Sequence, residues 1–472
     1  MNILIVSNNF SKGGLETHID TLYNSLSNNN NFIFCFGTYE NNNYIKNATI
    51  YDKFHFSYLS SINDFIEDIE RWIKIIKKHK IDVINVHPFY SIFPAMFAAN
   101  ITNTKIVYTY HGRSSINFMR YPTDDVLFQF AVENIFSKII CVSKIAIPWF
   151  NKFDNNQTVY IPNLIDENKY NEHNVTLNKK WALISRLDID KYSTIIKFLN
   201  ILPKLDIDKI DIYGSGSMEE PLKKFIKENK LSKKINLCGY NNNLNTSLDN
   251  YTGCIGIGRV ALECLCMNYP VILIGQDKVI GVIDQNTYNS VKNYNFVPTY
   301  ANETDTKNIA KQIKEINDGN YKEYQLRKEV IEEFGISNSK NYIDALSNSN
   351  FYPINIINDI YNNLKNIDKK DNNFYESFEV YEILYNNLIT YTINNQLQVN
   401  LNIYNKLLTN KKLNELQIES LDNKIKLELD NINITLNKLE NKTDIMNNQI
   451  SKIGLKYLIK RALKNRINRF KK

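Results

Sequence analysis

The sequence predicts an α/β protein: two doubly wound units in tandem, followed by a helical tail. Three observations predict it. From the first residues, short apolar runs alternate with longer helical patterns, as parallel strands joined by helical crossovers require. A polar stretch, Asp166 to Lys180, interrupts this alternation once, and the alternation restarts beyond it. Past about Asn350 the strand-type runs cease and only helical spacing remains.

In the first unit, Ile3 to Val6 reads as a buried strand, closed by the polar pair Asn8 and Asn9. Leu15 to Leu26 has helical spacing and Phe32 to Phe36 is the next strand. Ile62 to Lys78 is a helix, and Asp82 to Val86, Ile106 to Tyr110 and Ile139 to Val142 are strands, with a helix at Asp125 to Ser137 between the last two. Val159 to Asn163 is a short extended piece ending in a turn. In the second unit, strands are expected at Trp181 to Ser185, Ile210 to Tyr213, Ile235 to Leu237 and Val271 to Ile274. Helices are expected at Ser193 to Leu202, Met218 to Lys230 and Arg259 to Met267. Right-handed crossovers then give two parallel sheets, with ligands bound in a cleft at the carboxyl ends of their strands. The domain boundaries follow: 1–165, 175–350, a helical region at 370–452, and a basic segment at 453–472.

Composition bounds the function. Apolar residues make up 43% of the 472, enough for ordinary cores, and the 10 Pro and 15 Gly are too few for a low-complexity linker. Cys35, Cys141, Cys238, Cys254, Cys264 and Cys266 contain no C-x-x-C pair and lack the second ligand pair of a zinc site, so they read as reduced buried thiols of a reducing cytoplasm. Met1 to Val6 is too short and too soon polar for a secretory leader, and no run approaches the ~20 apolar residues of a spanning helix. The net charge of +7 belongs to the tail: Ile453 to Lys472 holds eight Lys or Arg and no acid, which leaves the first 452 residues at 7 − 8 = −1. A neutral body excludes a generally basic nucleic-acid-binding surface.

In the tail, Ile425, Leu429, Ile432, Leu436, Leu439, Thr443, Met446, Ile450 and Ile453 recur at steps of four and three. That is a candidate coiled coil over 425–453, able to pair two chains or to fold back on the body. Leu455, Ile459, Ala462, Leu463, Ile467 and Phe470 then share one helical face flanked by Lys456, Lys460, Lys464 and Arg466. This pattern suits a helix lying in an anionic membrane surface, or a solvated basic end.

Five segments carry candidate chemistry. Gly13-Gly14-Leu15-Glu16 opens a helix after the first strand, where glycines admit a ligand to the backbone and the helix N-terminus favours an anion. His111, in Tyr110-His111-Gly112-Arg113, ends a strand where it can bond a sugar hydroxyl or serve structure alone. Arg186 and Lys191, five positions apart on a strand-to-helix loop, suit a diphosphate or are solvated charges. Gly256-Ile257-Gly258-Arg259 leads into a helix that carries Glu263, an acid able to accept from a ribose diol. Tyr213-Gly214-Ser215-Gly216 is a further strand-to-helix turn, and Glu219 stands where a dinucleotide fingerprint needs its third glycine.

In this order the segments resemble glycosyltransferase family four over about residues 1–350, joined by Val142-Ser143, Ile161-Pro162-Asn163-Leu164-Ile165-Asp166, Gly239-Tyr240 and Tyr269-Pro270-Val271-Ile272. The resemblance implies the GT-B fold, two Rossmann-like domains facing a cleft, and retaining transfer from a nucleotide-diphosphate sugar. It implies His111 at the donor sugar, and Arg186 with Lys191 as a diphosphate clamp in place of a metal. It also implies Gly14, Gly214, Tyr240, Gly256, Gly258, Arg259 and Glu263 around the donor. No metal and no cofactor are expected. The first glutamate of the family's E-x7-E signature falls at Ile255. That departure allows a different donor sugar, a subgroup using backbone N–H groups from Gly256 to Gly258, or a silent protein. The expected partners are a nucleotide sugar, a glycan or lipid-linked acceptor, the inner membrane face and a second copy of the chain. A catalytically silent assembly subunit and a nucleotide-sugar epimerase are the competing functions.

Overall fold

The computed structural model describes residues 1–11, 13–40, 44–112, 115, 118–151, 157–241, 248–351, 354–367, 373–389 and 391. The chain divides into two compact units, Met1–Leu388 and Ile389–Lys472. The candidate coiled coil and the basic helix lie outside the described residues.

The first sheet is built from β1 (Asn2–Phe10), α1 (Gly14–Leu26), β2 (Asn31–Tyr39), β3 (Thr49–Tyr51), α2 (Ile62–His79), β4 (Val83–Val86), α3 (Ile92–Ile101), β5 (Lys105–Tyr110), α4 (Pro122–Phe130), β6 (Lys138–Cys141), α5 (Ile147–Phe150) and β7 (Thr158–Tyr160). Its strands run in the order β3-β2-β1-β4-β5-β6-β7, all parallel. Helices cover both faces, so central strands such as Ile3-Leu4-Ile5-Val6 are apolar without alternation. A capping box starts α2: the Ser61 hydroxyl accepts from the Asp64 N–H at 3.1 Å, and the Asp64 carboxylate accepts from the Ser61 N–H at 2.9 Å.

The second sheet comes from β8 (Lys180–Ile184), α6 (Ile189–Ile201), β9 (Lys209–Tyr213), α7 (Glu219–Glu228), β10 (Ile235–Gly239), β11 (Gly253–Gly256), α8 (Arg259–Cys266), β12 (Val271–Gly275), β13 (Lys278–Val282), α9 (Gln285–Val291), α10 (Thr306–Asn317) and α11 (Arg327–Phe334). Its order is β10-β9-β8-β11-β12-β13, parallel except for the β12–β13 hairpin. In each sheet the strand order reverses beside the first strand, at β1/β4 and at β8/β11. The loops leaving those four strands form the crevices where such folds bind ligands.

At Gly335 the chain returns to the first sheet. Ile165 donates its N–H to the Phe334 carbonyl at 2.8 Å, side by side with the return. Helix α12 (Lys340–Ser347) then buries Tyr342, Ala345 and Leu346 in the first core. Helix α13 (Ile356–Lys365) packs on α3 and α2, α14 (Phe378–Leu384) packs on α4, and the Phe374 ring stacks on Phe65 with centroids 3.8 Å apart. The second sheet's own elements therefore end before residue 350.

Several elements escaped the sequence reading, among them β3, α5 and the helices from α9 to α12, and three show why. Helix α3 is buried over almost its whole length, so it has no polar face to give a helical period. Strand β11, Gly253-Cys254-Ile255-Gly256, holds two glycines that weaken a strand pattern. Strand β13 reverses direction at the sheet edge. Of the cysteines, five are buried, but Cys238 is exposed. Among the described residues no helix is long and apolar enough to cross a membrane.

Candidate active site

The N-terminus of α1 brings the first-domain groups together. Gly14 has open space around its missing side chain, whereas a Cβ on Gly13 would lie 2.7 Å from Glu16 Oε2. Glu16 folds back over this turn and accepts from the Ser11 N–H at 3.4 Å. Burial raises its pKa, against its backbone hydrogen bonds and the Arg186 charge. Glu16 thus stands within electrostatic reach of the second domain. The sequence reading placed only Gly14 in the site. The signal for Glu16 was present: an acid in the first turn of a glycine-led helix.

One turn further along α1, His18 presents its ring edge to His111, with centroids 5.0 Å apart. His111 follows β5, and its Nε2 lies 2.8 Å from Nδ1 of His87, which follows β4. His18 and His87 are buried, and His111 lies at the partly exposed end of the cluster. Burial lowers all three pKa values, with additional repulsion among the rings for His18 and His87, and His111 falls to about 3. All three are neutral at pH 7. Among the described residues no three His, Cys, Asp or Glu side chains are grouped so as to hold a metal ion.

These histidines set a pH dependence. Their folded pKa values lie below the unfolded value, so the unfolded chain binds more protons at mildly acid pH. Their stabilisation is complete above about pH 6.5 and is lost as pH falls toward the folded values. Asp68 and Asp124, raised to about 6 by burial, act in the opposite sense. The assignment therefore rests on a difference: between pH 7.5 and 5, wild type is expected to lose about 2 kcal/mol more than His111→Gln. Equal losses in urea unfolding would show that His111 is not held neutral.

Arg186 lies on the loop after β8, whereas Lys191 falls in the first turn of α6 rather than on the loop as the sequence reading had it. Arg186 Nη1 is 2.7 Å from Asp188 Oδ2, its Nη2 is 3.5 Å from Asp190 Oδ2, and Lys191 Nζ is 3.0 Å from the same Asp190 oxygen. Arg186 remains 63% exposed. Exposed pairs of this kind are worth about 0–1 kcal/mol, so a diphosphate can displace the aspartates at little cost. The loop is held by the turn after β9. Leu187 donates to the Ser215 carbonyl at 2.9 Å, and Met218 donates to the Leu187 carbonyl at 2.7 Å. A Cβ on Gly214, at φ +153°, would lie 1.8 Å from the Ser185 carbonyl oxygen. Gly214 therefore lets the two loops touch, a packing role that the sequence reading did not assign. Tyr240, just past β10, is half-exposed and within electrostatic reach of Tyr44 of the first domain.

The start of α8 differs most from expectation. Ile255 pairs with Leu183 and Ile272 inside β11 and is fully buried in the second core. The strand ends at Gly256, and Gly258, at φ +62°, already caps α8. Residue 255 is thus a core position of a strand, and no acid there could reach the cleft. The position that the family signature gives its first glutamate is therefore, in this chain, inside a strand and not on a loop. The Gly258 N–H donates to the Phe296 carbonyl at 3.0 Å, so it is not free for a donor oxygen. Gly256 leaves room for Val260, whose Cγ1 would lie 2.6 Å from an added Cβ.

Arg259 and Glu263 are engaged with one another and with the first domain. The Arg259 Nε donates to Glu263 Oε1 at 3.0 Å, its Nη1 to the Leu164 carbonyl at 2.9 Å, and its Nη2 to the Thr21 hydroxyl of α1 at 3.1 Å. Their side chains are only 9% and 12% exposed. Together they form a strut between α8, the interdomain crossing and α1. Asn163 and Asn295 add a second tie, Nδ2 to Oδ1 at 2.8 Å.

A cavity of about 330 Å³ opens beside this cleft in the first domain, lined by Asn8, Phe56, Ser57, Tyr58, Phe89, Tyr90, Phe118 and Arg120. Asn8 shapes its floor by accepting from the Phe89 and Ser91 N–H groups at 3.1 and 2.8 Å. The Arg120 guanidinium lies 3.9 Å from the centroid of the Tyr58 ring.

Comparison with known proteins accords with this geometry. Residues 12–169 match the model of Glycosyltransferase Family 4. An uncharacterized glycosyltransferase of Methanocaldococcus jannaschii is 25% identical over 280 residues, which cover 55% of this chain and 74% of the relative. A glycosyltransferase from Rickettsia africae superposes with a TM-score of 0.56 at 17% identity, over 74% of this chain and 99% of that one. Anabaena HepE, solved in complex with UDP-glucose, superposes with a TM-score of 0.57 at 12% identity over the same shares. Residues 12–169 thus match glycosyltransferase family four, the whole is similar to glycosyltransferases, and the architecture is the two-domain GT-B fold.

Proposed function

We propose that the protein transfers a sugar from a nucleotide-diphosphate sugar to a hydroxyl acceptor, with retention of anomeric configuration and without a catalytic metal. One observation carries this reading. His18 of α1 packs against His111 with ring centroids 5.0 Å apart, and Glu16, two residues earlier, lies within electrostatic reach of Arg186, so the start of α1 lies between the cationic loop of the second domain and the histidine of the first. A diphosphate between them meets Arg186, Lys191 and the helix N-terminus, and His111 meets the sugar. Charge developing on the departing diphosphate is stabilised by those fixed groups. Tyr240 lies on the rim for the base. Glu263 and Arg259 are read here as the strut that sets how the domains meet, and Gly214, Gly256 and Gly258 as the packing that shapes the loops. The UDP-glucose complex of Anabaena HepE supports UDP-sugars as the first donors to try. The aromatic cavity with Arg120 at its rim suits an acceptor that offers a sugar ring for stacking beside an anionic group. Such an acceptor belongs to cell-surface polysaccharide or glycolipid synthesis.

The test is a donor panel: common UDP-, GDP- and dTDP-sugars with and without a membrane lipid extract, scored by released nucleotide and product mass. Arg186→Ala is expected to lower turnover by about 10²–10³-fold while leaving the unfolding midpoint unchanged, because its ion pairs are exposed. A second reading, a catalytically silent subunit, draws on Ile255 at the position of the family's first glutamate. Tight nucleotide binding without turnover of any donor would select it.

The tail reading belongs to the same proposal. Deletion of residues after 450 is expected to release the protein from anionic vesicles, and added salt to weaken binding of the full chain, since the Debye length is ~8 Å at physiological strength. Unchanged sedimentation of the deletion variant would remove the membrane from the proposal.

A further inference from the structure

We propose that His87, oriented by Asn85, fixes His111 in the tautomer that carries its proton on Nε2, so that His111 offers the cleft a hydrogen-bond acceptor. The group recognised there is then a hydroxyl that donates. The assignment of that hydroxyl to the donor sugar rests on the proposed function, whereas the tautomer does not.

The chain of assignments starts at a backbone carbonyl. The Val107 carbonyl of β5 can only accept, and Asn85 Nδ2 lies 3.2 Å from it and 2.9 Å from the Thr109 hydroxyl. The amide orientation of Asn85 is thereby set, and its Oδ1 must point the other way. That oxygen accepts from the Tyr342 hydroxyl at 2.8 Å and lies 3.1 Å from His87 Nε2. An amide oxygen cannot donate, so His87 Nε2 carries a proton. Burial keeps His87 neutral, so its Nδ1 holds a lone pair. His111 Nε2, at 2.8 Å, must then be the donor in their shared bond. His111 is itself neutral, which leaves a lone pair on its Nδ1. His18, edge-on to the His111 ring at 84°, hinders rotation to the other arrangement.

The Tyr342 contribution shows how far the relay reaches. Tyr342 arrives on α12, after the chain has recrossed from the second domain, and exchanges a hydrogen bond with Thr109 at 2.9 Å. The relay is therefore complete only when the return segment is docked. An acceptor at His111 Nδ1 also excludes His111 as a proton donor to the leaving group. His87 acts through His111, and is a positioning residue.

The test has two arms on the full chain. In the first, protein labelled with ¹⁵N-histidine is examined for a scalar coupling across the N–H···N bond, with the ring signals assigned from single His→Gln variants. The expected result is a proton bound to His111 Nε2 and coupled to His87 Nδ1. A proton on His87 Nδ1, a charged His111 at pH 7, or no coupling would overturn the proposal. In the second, the dissociation constants of UDP-glucose and of UDP alone are measured for wild type, His87→Phe and His87→Gln. His87→Phe is expected to weaken UDP-glucose about tenfold and leave UDP unchanged, and His87→Gln, whose amide oxygen can still accept, to recover most of the loss. Equal weakening of both ligands would mean that His87 is merely structural and would overturn its positioning role. Absence of UDP-glucose binding by wild type, with the coupling intact, would overturn the donor reading and leave the tautomer established.

Discussion

Arg259→Leu is expected to destabilise the first unit by about 3–5 kcal/mol, the usual cost of removing one partner of a buried ion pair. The guanidinium holds Glu263, Leu164 and Thr21 at 3.0, 2.9 and 3.1 Å, and both ionic side chains are nearly inaccessible. Leucine fills much of the space but leaves the Glu263 carboxylate in a dry site without its cation. The double variant Arg259→Leu, Glu263→Gln removes that orphaned charge and is expected to recover a large part of the loss. Urea unfolding of the four proteins of this cycle measures the coupling. A single-variant cost below about 1 kcal/mol would show that the strut does not join the domains.

Ile255→Glu has a still larger expected effect and separates two accounts of the missing acid. If residue 255 lay on a cleft loop, a glutamate there would be tolerated and could restore the family pattern. Its place in β11, between Leu183 and Ile272 and fully buried, makes the opposite outcome the expected one. The substitution removes a packed aliphatic side chain, worth about 2–5 kcal/mol, and adds a polar group with no partner. The carboxyl would be driven to its neutral form by desolvation. Together these are comparable with the ~5–15 kcal/mol stability of an ordinary domain, so a large loss of folded protein is expected at 25 °C by circular dichroism or by proteolysis. A soluble, active Ile255→Glu protein would refute the strand register.

Much of the fold was legible because the signals were local. Parallel strands covered on both faces are unbroken apolar runs, and the helices between them show a 3.6-residue period wherever one side meets water. Helix α3 lacked that period because it has no side in water. The return to the first domain was illegible for a different reason: α12 looks like any amphipathic helix, and only packing shows that Tyr342 completes the Asn85–Thr109 ring. The order of the motifs allowed the site loops to be found. Their contacts were less legible: only packing shows that Gly214 lies against the Ser185 carbonyl and that Arg259 joins Glu263 to Leu164 and Thr21.

By itself, then, the sequence determined two doubly wound units, most of their central strands, the glycine-led start of α1, the cations Arg186 and Lys191 after β8, and the histidine at the end of β5. These are properties of neighbours along the chain, set by hydrophobic period, turn chemistry and charge. Only the tertiary structure decided that Ile255 is a core residue, that Arg259 is committed to Glu263 and Thr21, and that His87 and His18 flank His111. Those facts depend on groups far apart in sequence. Which nitrogen carries a proton, and which carboxylate is free, is set by the partner that burial leaves within hydrogen-bond reach.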